Sequence, residues 1–134
     1  MQVVYATYNS TTTNTSSWAD TGLSASITPK YSTSKILVLA MNNVAATNSN
    51  GVNSVAYFDT LRGSTVLVHT RFQIGNALAS GTNAIVVGPV TIQYLDSPAT
   101  TSSVTYQTYI AANQFGQTAY NGTGTAVLTL LEIL

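Results

Sequence analysis

Hydrophobic and polar residues alternate with a period of two along several short segments of the chain. In Leu23–Ile27 and in Val104–Ile110, apolar or aromatic side chains are separated by serine, threonine or glutamine, and Pro29 follows the first segment. Such alternation indicates β-strands with one buried and one solvated face. Ile36–Met41 is instead apolar at every position, which is typical of a strand covered on both faces.

Clusters of Ser, Thr, Asn and Gly divide the chain into about eight such segments, and no segment has the period of a helix. The hairpin signal is clearest between Val55–Leu61 and Thr65–Arg71, and Gly88-Pro89 marks a bulge or an edge position. The pattern predicts one all-β domain, 1–134, folded as an antiparallel sandwich or barrel, in which two four-stranded sheets can close as a jelly-roll β-sandwich. The other predicted strands are Val3–Tyr8, Ala84–Leu95 and Thr125–Leu134, and the predicted loops are Asn9–Ser17, Asn42–Asn53, Gly75–Asn83 and Ala112–Gly124.

The last predicted strand is apolar on both faces up to the final residue, with Glu132 as the exception. A chain end normally frays and is polar, so this strand needs a cover, either from the chain's own second sheet or from a neighbouring subunit. The pattern alone leaves both possibilities open. If a neighbour supplies the cover, the candidate interface residues are Val127, Leu128, Leu130, Leu131, Ile133 and Leu134.

Charge is scarce in this chain. Charged residues make up 6% of the 134 positions and the formal net charge is zero, where a typical soluble domain has about 25%. A neutral surface does not attract phosphates or anionic lipids, so nucleic acid and membrane are not expected partners. Cysteine is absent, which excludes disulfides and thiol chemistry, and the first residues show no secretory signal. Low charge favours a chain that works within an assembly.

The search for an active site yields little. His69 is the only histidine, so a typical zinc site is not available. A Ser-His-Asp arrangement with Asp59 or Asp96 stays open, but no Gly-x-Ser-x-Gly elbow marks a nucleophile. Asp20 and Asp96 occupy turn-type positions, where Asp binds local backbone amides. We therefore predict no enzyme activity, no catalytic residue, no metal site and no cofactor.

Trp18 and Tyr120 lie near predicted loops and are the candidate partner contacts. An aromatic ring there can stack on a sugar ring. The competing interpretation, which we favour, is that both rings plug the ends of the sandwich.

Several segments, in their order along the chain, resemble virion proteins of marine and cyanobacterial bacteriophages. They are Trp18–Lys30 with Ser34–Val38, Leu61–Thr65, Tyr94–Ser102 with Val104–Tyr106, and Leu128–Ile133. The similar proteins are tail-fibre heads and capsid surface proteins. The resemblance implies a jelly roll of the tumour-necrosis-factor/C1q kind that forms a homotrimer. It also implies that the protein lies on the surface of a virion, which is assembled in the host cytoplasm.

Tail-fibre heads of this kind usually follow an anchor and a shaft, whereas here the predicted jelly roll begins almost at Met1. The resemblance then favours a capsid decoration, or cement, protein that binds the major capsid protein and stabilises the shell. The alternative is a receptor-binding fibre head, attached to tail components, whose loops meet a host glycan or protein. Both hypotheses are non-enzymatic. A third hypothesis, an enzyme such as a depolymerase, requires a pair of carboxylates facing one cleft, and the sequence shows no acids arranged for it.

Overall fold

The fold was analysed in a computed structural model, which describes residues 1–9, 12–14, 17–48, 54–74, 84–112, 119–121 and 124–134. Within these ranges every regular element is a β-strand. The strands are β1 (Val3–Tyr8), β2 (Thr12–Asn14), β3 (Ala19–Ile27), β4 (Lys35–Asn48), β5 (Ser54–Arg62), β6 (Thr65–Ile74), β7 (Ala84–Asp96), β8 (Val104–Ala112), β9 (Ala119–Asn121) and β10 (Ala126–Ile133).

The strands form two antiparallel sheets that face each other. In sheet I the main order is β1-β10-β4-β7, and the short strands β9 and β2 extend it beside the far end of β4. Sheet II has the order β3-β8-β5-β6. Consecutive long strands thus alternate between the sheets except at the β5–β6 hairpin, which is the arrangement of a jelly roll. The predicted all-β sandwich is confirmed.

Period-two alternation places the core between the sheets. Sheet I contributes Ile36, Val38 and Ala40 from β4, and sheet II contributes Phe58 from β5, all of them buried. The largest fully buried side chains are Tyr106, Phe58, Leu23, Ile27, Ile36, Ile110, Leu128 and Leu130. The cover predicted for the last strand therefore comes, on one of its faces, from the chain's own second sheet.

One predicted loop is wrong over much of its length. The polar run Asn42–Asn53 predicts a loop, yet β4 continues to Asn48. Pairing with β7 explains the difference, because every residue from Ile36 to Asn48 has a partner there. Val44 also enters the core. The predicted loops Asn9–Ser17 and Ala112–Gly124 are also wrong in part, because β2 and β9 lie within them. Gly75–Asn83 lies outside the described residues.

Pro89 occupies an edge position, one of the two predicted alternatives. Among the described strands β7 pairs only with β4, and the register of that pair has no shift around Gly88 and Pro89. Because proline has no backbone N–H to donate, an edge strand is where a sheet tolerates it.

Glu132, the polar exception in the last strand, points inward and is only 1% exposed. Its Oε1 atom accepts a hydrogen bond from the backbone N–H of Lys30 at 2.5 Å. This hydrogen bond is the main reason that the pKa of the Glu132 carboxyl lies below its ordinary value. The hydrogen bond between the Glu132 carboxylate and the Lys30 backbone thus connects the turn after β3 to the end of β10.

A second buried polar network joins the two sheets. Arg62, at the end of β5, donates to both carboxylate oxygens of Asp96 on β7, at 2.9 and 2.8 Å. The Tyr106 hydroxyl on β8 donates to Asp96 Oδ2 at 2.7 Å. Asp96 is 5% exposed, so the network compensates a carboxylate that burial would otherwise destabilise. The expected turn position of Asp96 is therefore only part of its role.

This network predicts a stability effect. Tyr106→Phe removes one hydrogen bond to a buried charge and should lower the free energy of unfolding by about 1.5–3 kcal/mol. Ser26→Ala, which removes an exposed side-chain hydrogen bond to Thr105, is the control and should change it by less than about 0.5 kcal/mol. Urea unfolding at one fixed chain concentration measures both, and equal stability of the two variants would contradict the assigned role.

Candidate functional site

The carboxylates do not form a catalytic pair in the described part of the chain. Asp96 and Glu132 belong to the two buried networks above. Asp20 lies within β3, beside the register shift between Asp20 and Ser24, and not in a turn as predicted; its Oδ1 atom accepts from the backbone N–H of Gly22 at 2.8 Å. Asp59 is engaged with His69. No group of three or more His, Asp or Glu that could hold a metal ion occurs among the residues described.

The same ranges contain no helix long and apolar enough to cross a membrane. Two outward sheet faces remain as candidate functional surfaces, and they differ in chemistry.

The outward face of sheet I is apolar across all four main strands. We call it the apolar face, and define it by Val3, Tyr5, Leu37, Leu39, Met41, Leu95, Val127, Leu131 and Ile133. The register aligns Val3, Leu131, Leu37 and Leu95 in one row, so four aliphatic side chains cross the sheet side by side. The next row contains Tyr5 and Leu39, with Thr129 between them. Val3 and Tyr5 are more than half exposed, at 53% and 63%.

An open concavity of about 550 Å³ lies in this face. Its outward lining consists of Leu39 and Met41 on β4, Val127 and Thr129 on β10, and Thr91 and Gln93 on β7. Lys35, at one end of β4, is the only charged residue among the described side chains that alternate outward on β1, β10, β4 and β7. A contiguous apolar surface of this kind marks a place of contact.

The predicted interface residues divide between the two faces of β10. Leu128 and Leu130 are fully buried in the chain's own core, so they have no surface to offer a neighbour, and the predicted set is corrected by removing them. Val127 and Leu131 are half-buried on the apolar face. Ile133 and the last residue, Leu134, are exposed.

The outward face of sheet II carries a cluster of three rings, which we call the ring cluster: Trp18, Tyr57 and His69. The Tyr57 and His69 rings are stacked, with centroids 5.4 Å apart. Trp18 meets His69 edge-on at 5.6 Å and lies 6.3 Å from Tyr57. Trp18 is 44% exposed, so it covers a sheet face and does not plug an end of the sandwich as favoured above. For Tyr120 only the backbone, in β9, is described.

Strand pairing explains how these rings meet. Asp20, Tyr109, Asp59 and His69 form one row across the four strands of sheet II. In the adjacent row the small residue Ala111 lies next to Tyr57 and is buried although it faces outward. A small side chain at this position leaves room for the Trp18 indole to reach across β8.

Asp59 lies under the ring cluster and fixes the histidine. Its Oδ1 atom is 2.6 Å from His69 Nδ1, and Asp59 is only 6% exposed. An ionised carboxylate can only accept, so the proton then lies on Nδ1 and the Nε2 lone pair is free. Because the His69 side chain is 53% exposed, Nε2 is available to solvent or a ligand. The pair matches the Asp–His half of the triad left open above, without a described nucleophile beside it.

Burial raises the pKa of Asp59 above its ordinary value of 3.8, and the hydrogen bond from His69 opposes this only in part. Since the folded chain holds the Asp59 proton more tightly than the unfolded chain does, the stabilising effect of this group is present below the unfolded pKa. It is lost as pH rises through the folded value.

No family model and no curated protein sequence matches the chain. Solved structures with a similar fold include the infectious bursal disease virus Gx strain, at 17% identity and a TM-score of 0.40, with 98% of this chain and 32% of that chain covered. They also include a mutant VP2 protein of infectious bursal disease virus in T=1 particles, at 15% identity and a TM-score of 0.43, with 96% and 31% covered. A VP2 subviral particle of the same virus is 14% identical with a TM-score of 0.38, and the match covers 98% of this chain and 32% of that chain.

The chain thus spans about a third of the length of these viral proteins. At such TM-scores the likeness adds nothing to the strand order described above.

The buried carboxyl of Asp59 predicts a pH-dependent stability difference. Asp59→Asn removes the ionisable group, so the stability of the unmodified chain relative to this variant should fall as pH rises from about 4 towards 7. Urea midpoints of both proteins across this range measure the difference. Asp20→Asn, the same change at an exposed carboxyl, is the matched control. A difference that grows with rising pH would contradict the assignment.

Proposed function

We propose that this chain is a non-enzymatic structural protein of a virus particle, and that it works as a homotrimer which decorates the outer surface of the head. The observation that carries the proposal is the apolar face of sheet I. The resemblance of the ordered sequence segments to phage virion proteins supplies the setting and the number of subunits.

The apolar face needs a partner for a physical reason. Burying apolar surface contributes about 25 cal/mol for each Å² removed from water, and the row of Val3, Leu131, Leu37 and Leu95 offers such surface across four strands. No charged residue lies within the row, so a neighbouring subunit can cover it without burying an unpaired charge. A second and third copy of the chain are the partners of matching chemistry, since closed homo-oligomers are the common solution for soluble chains.

The distribution of charge supports a life in an assembly. Of the eight charged residues, Asp59, Asp96 and Glu132 are buried. Arg62 is committed to Asp96. The charges left on the exposed surface are Asp20, Lys30, Lys35 and Arg71. So few charges give little protection against association in a free protein, which suits a chain held in permanent contacts.

The trimer is tested at the apolar face. Leu131→Asp places a charge in the aliphatic row and should dissociate the assembly, because the charge would lose its hydration on burial. Light scattering should give three times the 14.1 kDa chain mass for the unmodified protein and one chain mass for the variant.

Leu61→Asp is the matched control, since Leu61 is also half-buried but lies on β5 in sheet II. This variant should remain trimeric. A stable monomer of the unmodified chain at tens of micromolar, or equal dissociation of both variants, would exclude the apolar face as the subunit interface.

A trimer of this kind would stabilise a shell by mass action. If it binds the assembled shell and not loose capsid subunits, each bound copy shifts the equilibrium towards the intact particle. Its partner is then the major capsid protein, and its mechanism is non-covalent bridging between neighbouring capsid subunits.

The location on the particle is tested by immunogold electron microscopy of intact virions with an antibody to this chain. We expect label spread over the head, because a decoration protein repeats with the capsid lattice. Label confined to the tail tip would reject the decoration role and establish the second candidate.

The second candidate is a receptor-binding head of a tail fibre, and one observation favours it. The ring cluster is exposed on the side of the sandwich opposite the apolar face. A trimer that buries sheet I therefore presents sheet II outward. Exposed Trp and Tyr are the side chains that binding surfaces use most.

A further inference from the structure

We propose that the outward face of sheet II binds a neutral pyranose ring of a glycan, at a site formed by Trp18, Tyr57, His69 and Asp59. This inference goes beyond the decoration role and does not depend on it. The site lies on the opposite side of the sandwich from the apolar face, so it exists in the single chain and stays open when sheet I is covered.

Trp18 provides the stacking surface. Its indole is held on one side by contacts with Tyr57 and His69, and 44% of the residue remains exposed. A pyranose ring has a face of C–H groups that packs against an aromatic plane and a rim of hydroxyls that requires hydrogen bonds. A single exposed ring beside polar groups matches both halves of such a ligand.

His69 provides the polar contact. With its Nδ1–H donated to Asp59, the exposed Nε2 atom can accept a hydrogen bond from a sugar hydroxyl. Asp59 is nearly buried, so its main contribution is to hold the imidazole in one tautomer and one orientation. Asp59 is a positioning residue here, whereas Trp18 and His69 touch the sugar.

The surrounding charges favour a neutral ligand over an acidic one. Asp59 and Asp20 lie in the same row of sheet II, and two carboxylates disfavour a sugar that carries its own. Arg71 lies one row away, opposite Tyr57, and is the only cation among the described residues that alternate outward in the middle of this sheet. One guanidinium against two carboxylates leaves the site without attraction for an anion.

The site is prepared before the ligand arrives. Tyr57, Asp59 and His69 lie on two strands paired in continuous register between Ser54 and Thr60, and Trp18 directly precedes β3. The three rings limit one another's rotation, and the carboxylate fixes the imidazole. Binding then loses little side-chain conformational entropy, and a small surface site gains affinity mainly by keeping this loss low.

The first experiment uses the fact that Trp18 is the only tryptophan, so fluorescence excited selectively at tryptophan, and not at the eight tyrosines, reports on this site. The full-length protein is titrated with the methyl glycosides of glucose, galactose, mannose and N-acetylglucosamine, and with the methyl glycoside of N-acetylneuraminic acid as the acidic comparison. We expect a saturable fluorescence change with at least one neutral glycoside, and weaker or no binding of the acidic one.

Variants are then compared by saturation-transfer NMR with the best glycoside. Trp18→Ala and His69→Ala should each weaken binding by about tenfold or more, and Trp18→Phe, which keeps a ring, should weaken it less than Trp18→Ala. Tyr31→Ala is the control, since Tyr31 is an exposed aromatic residue outside the ring cluster, and it should bind normally. Circular dichroism checks that each variant is folded.

Three results would overturn the proposal. They are the absence of saturable binding of every neutral glycoside up to about 50 mM, an equal loss in Tyr31→Ala and Trp18→Ala, and tighter binding of the acidic glycoside. Leu131→Asp separates this site from the trimer, because it should keep the affinity for the sugar whether or not the chains dissociate. If the unmodified protein is a trimer but binds no sugar, the sugar site is rejected and the proposed assembly is unaffected.

Discussion

A two-layer sandwich can cover only one face of each sheet, and this constraint governs both the fold and the surfaces of the chain. Side chains alternate between the faces of a strand, so a strand that is apolar at every position places half of its hydrophobic residues outside. In β4, Ile36, Val38 and Ala40 fill the core, while Leu37, Leu39 and Met41 face outward. The core alone therefore cannot account for this sequence, and the second apolar set forms the surface on which the proposed subunit contact rests.

The same constraint determines where buried charge is tolerated. Asp96 and Glu132 point inward, where an unpaired carboxylate would be costly. Both lie at strand ends, where a guanidinium from β5 and a backbone amide after β3 can reach them. Pairing at these places connects elements that the strand ladders leave separate: Asp96 joins the two sheets, and Glu132 joins a turn to the last strand. The interior also contains uncharged polar side chains, among them Thr21 and Thr108, whose hydroxyl groups are hydrogen-bonded to each other.

Much of the fold could be predicted from local pattern, because strand period and turn residues are local properties. The strand Val3–Tyr8 was predicted with its observed bounds, and the β5–β6 hairpin was predicted from its turn. The extension of β4 to Asn48 could not be predicted, because it depends on pairing with β7, a strand more than thirty-five residues further along the chain. Weak local propensity was overridden there by the distant partner.

The ring cluster escaped prediction for a more specific reason. Continuing the hairpin register from Arg62 and Thr65 would place Val68 opposite Asp59. The structure has a register shift beside Leu61, with Leu61 paired to Val66 and Thr60 paired to Val68. This one-residue irregularity moves His69 opposite Asp59, and a β-bulge of this kind leaves no reliable mark in the sequence. The only local signal was that Tyr57 and Asp59 share a face of their strand.

The two outward faces differ in a way that follows from these placements and assigns them different roles. On sheet I the outward rows combine aliphatic residues with threonine. They offer apolar contact area with few directional hydrogen bonds, which suits contacts between identical subunits. On sheet II the bulge and the small Ala111 bring an indole, an imidazole and a carboxylate together, and these groups offer hydrogen bonds at fixed angles. Directional groups add specificity where a partner varies. In the proposed function the chain assembles with its own kind through sheet I and meets an external partner through sheet II, and the jelly roll separates these two contacts onto opposite sheets.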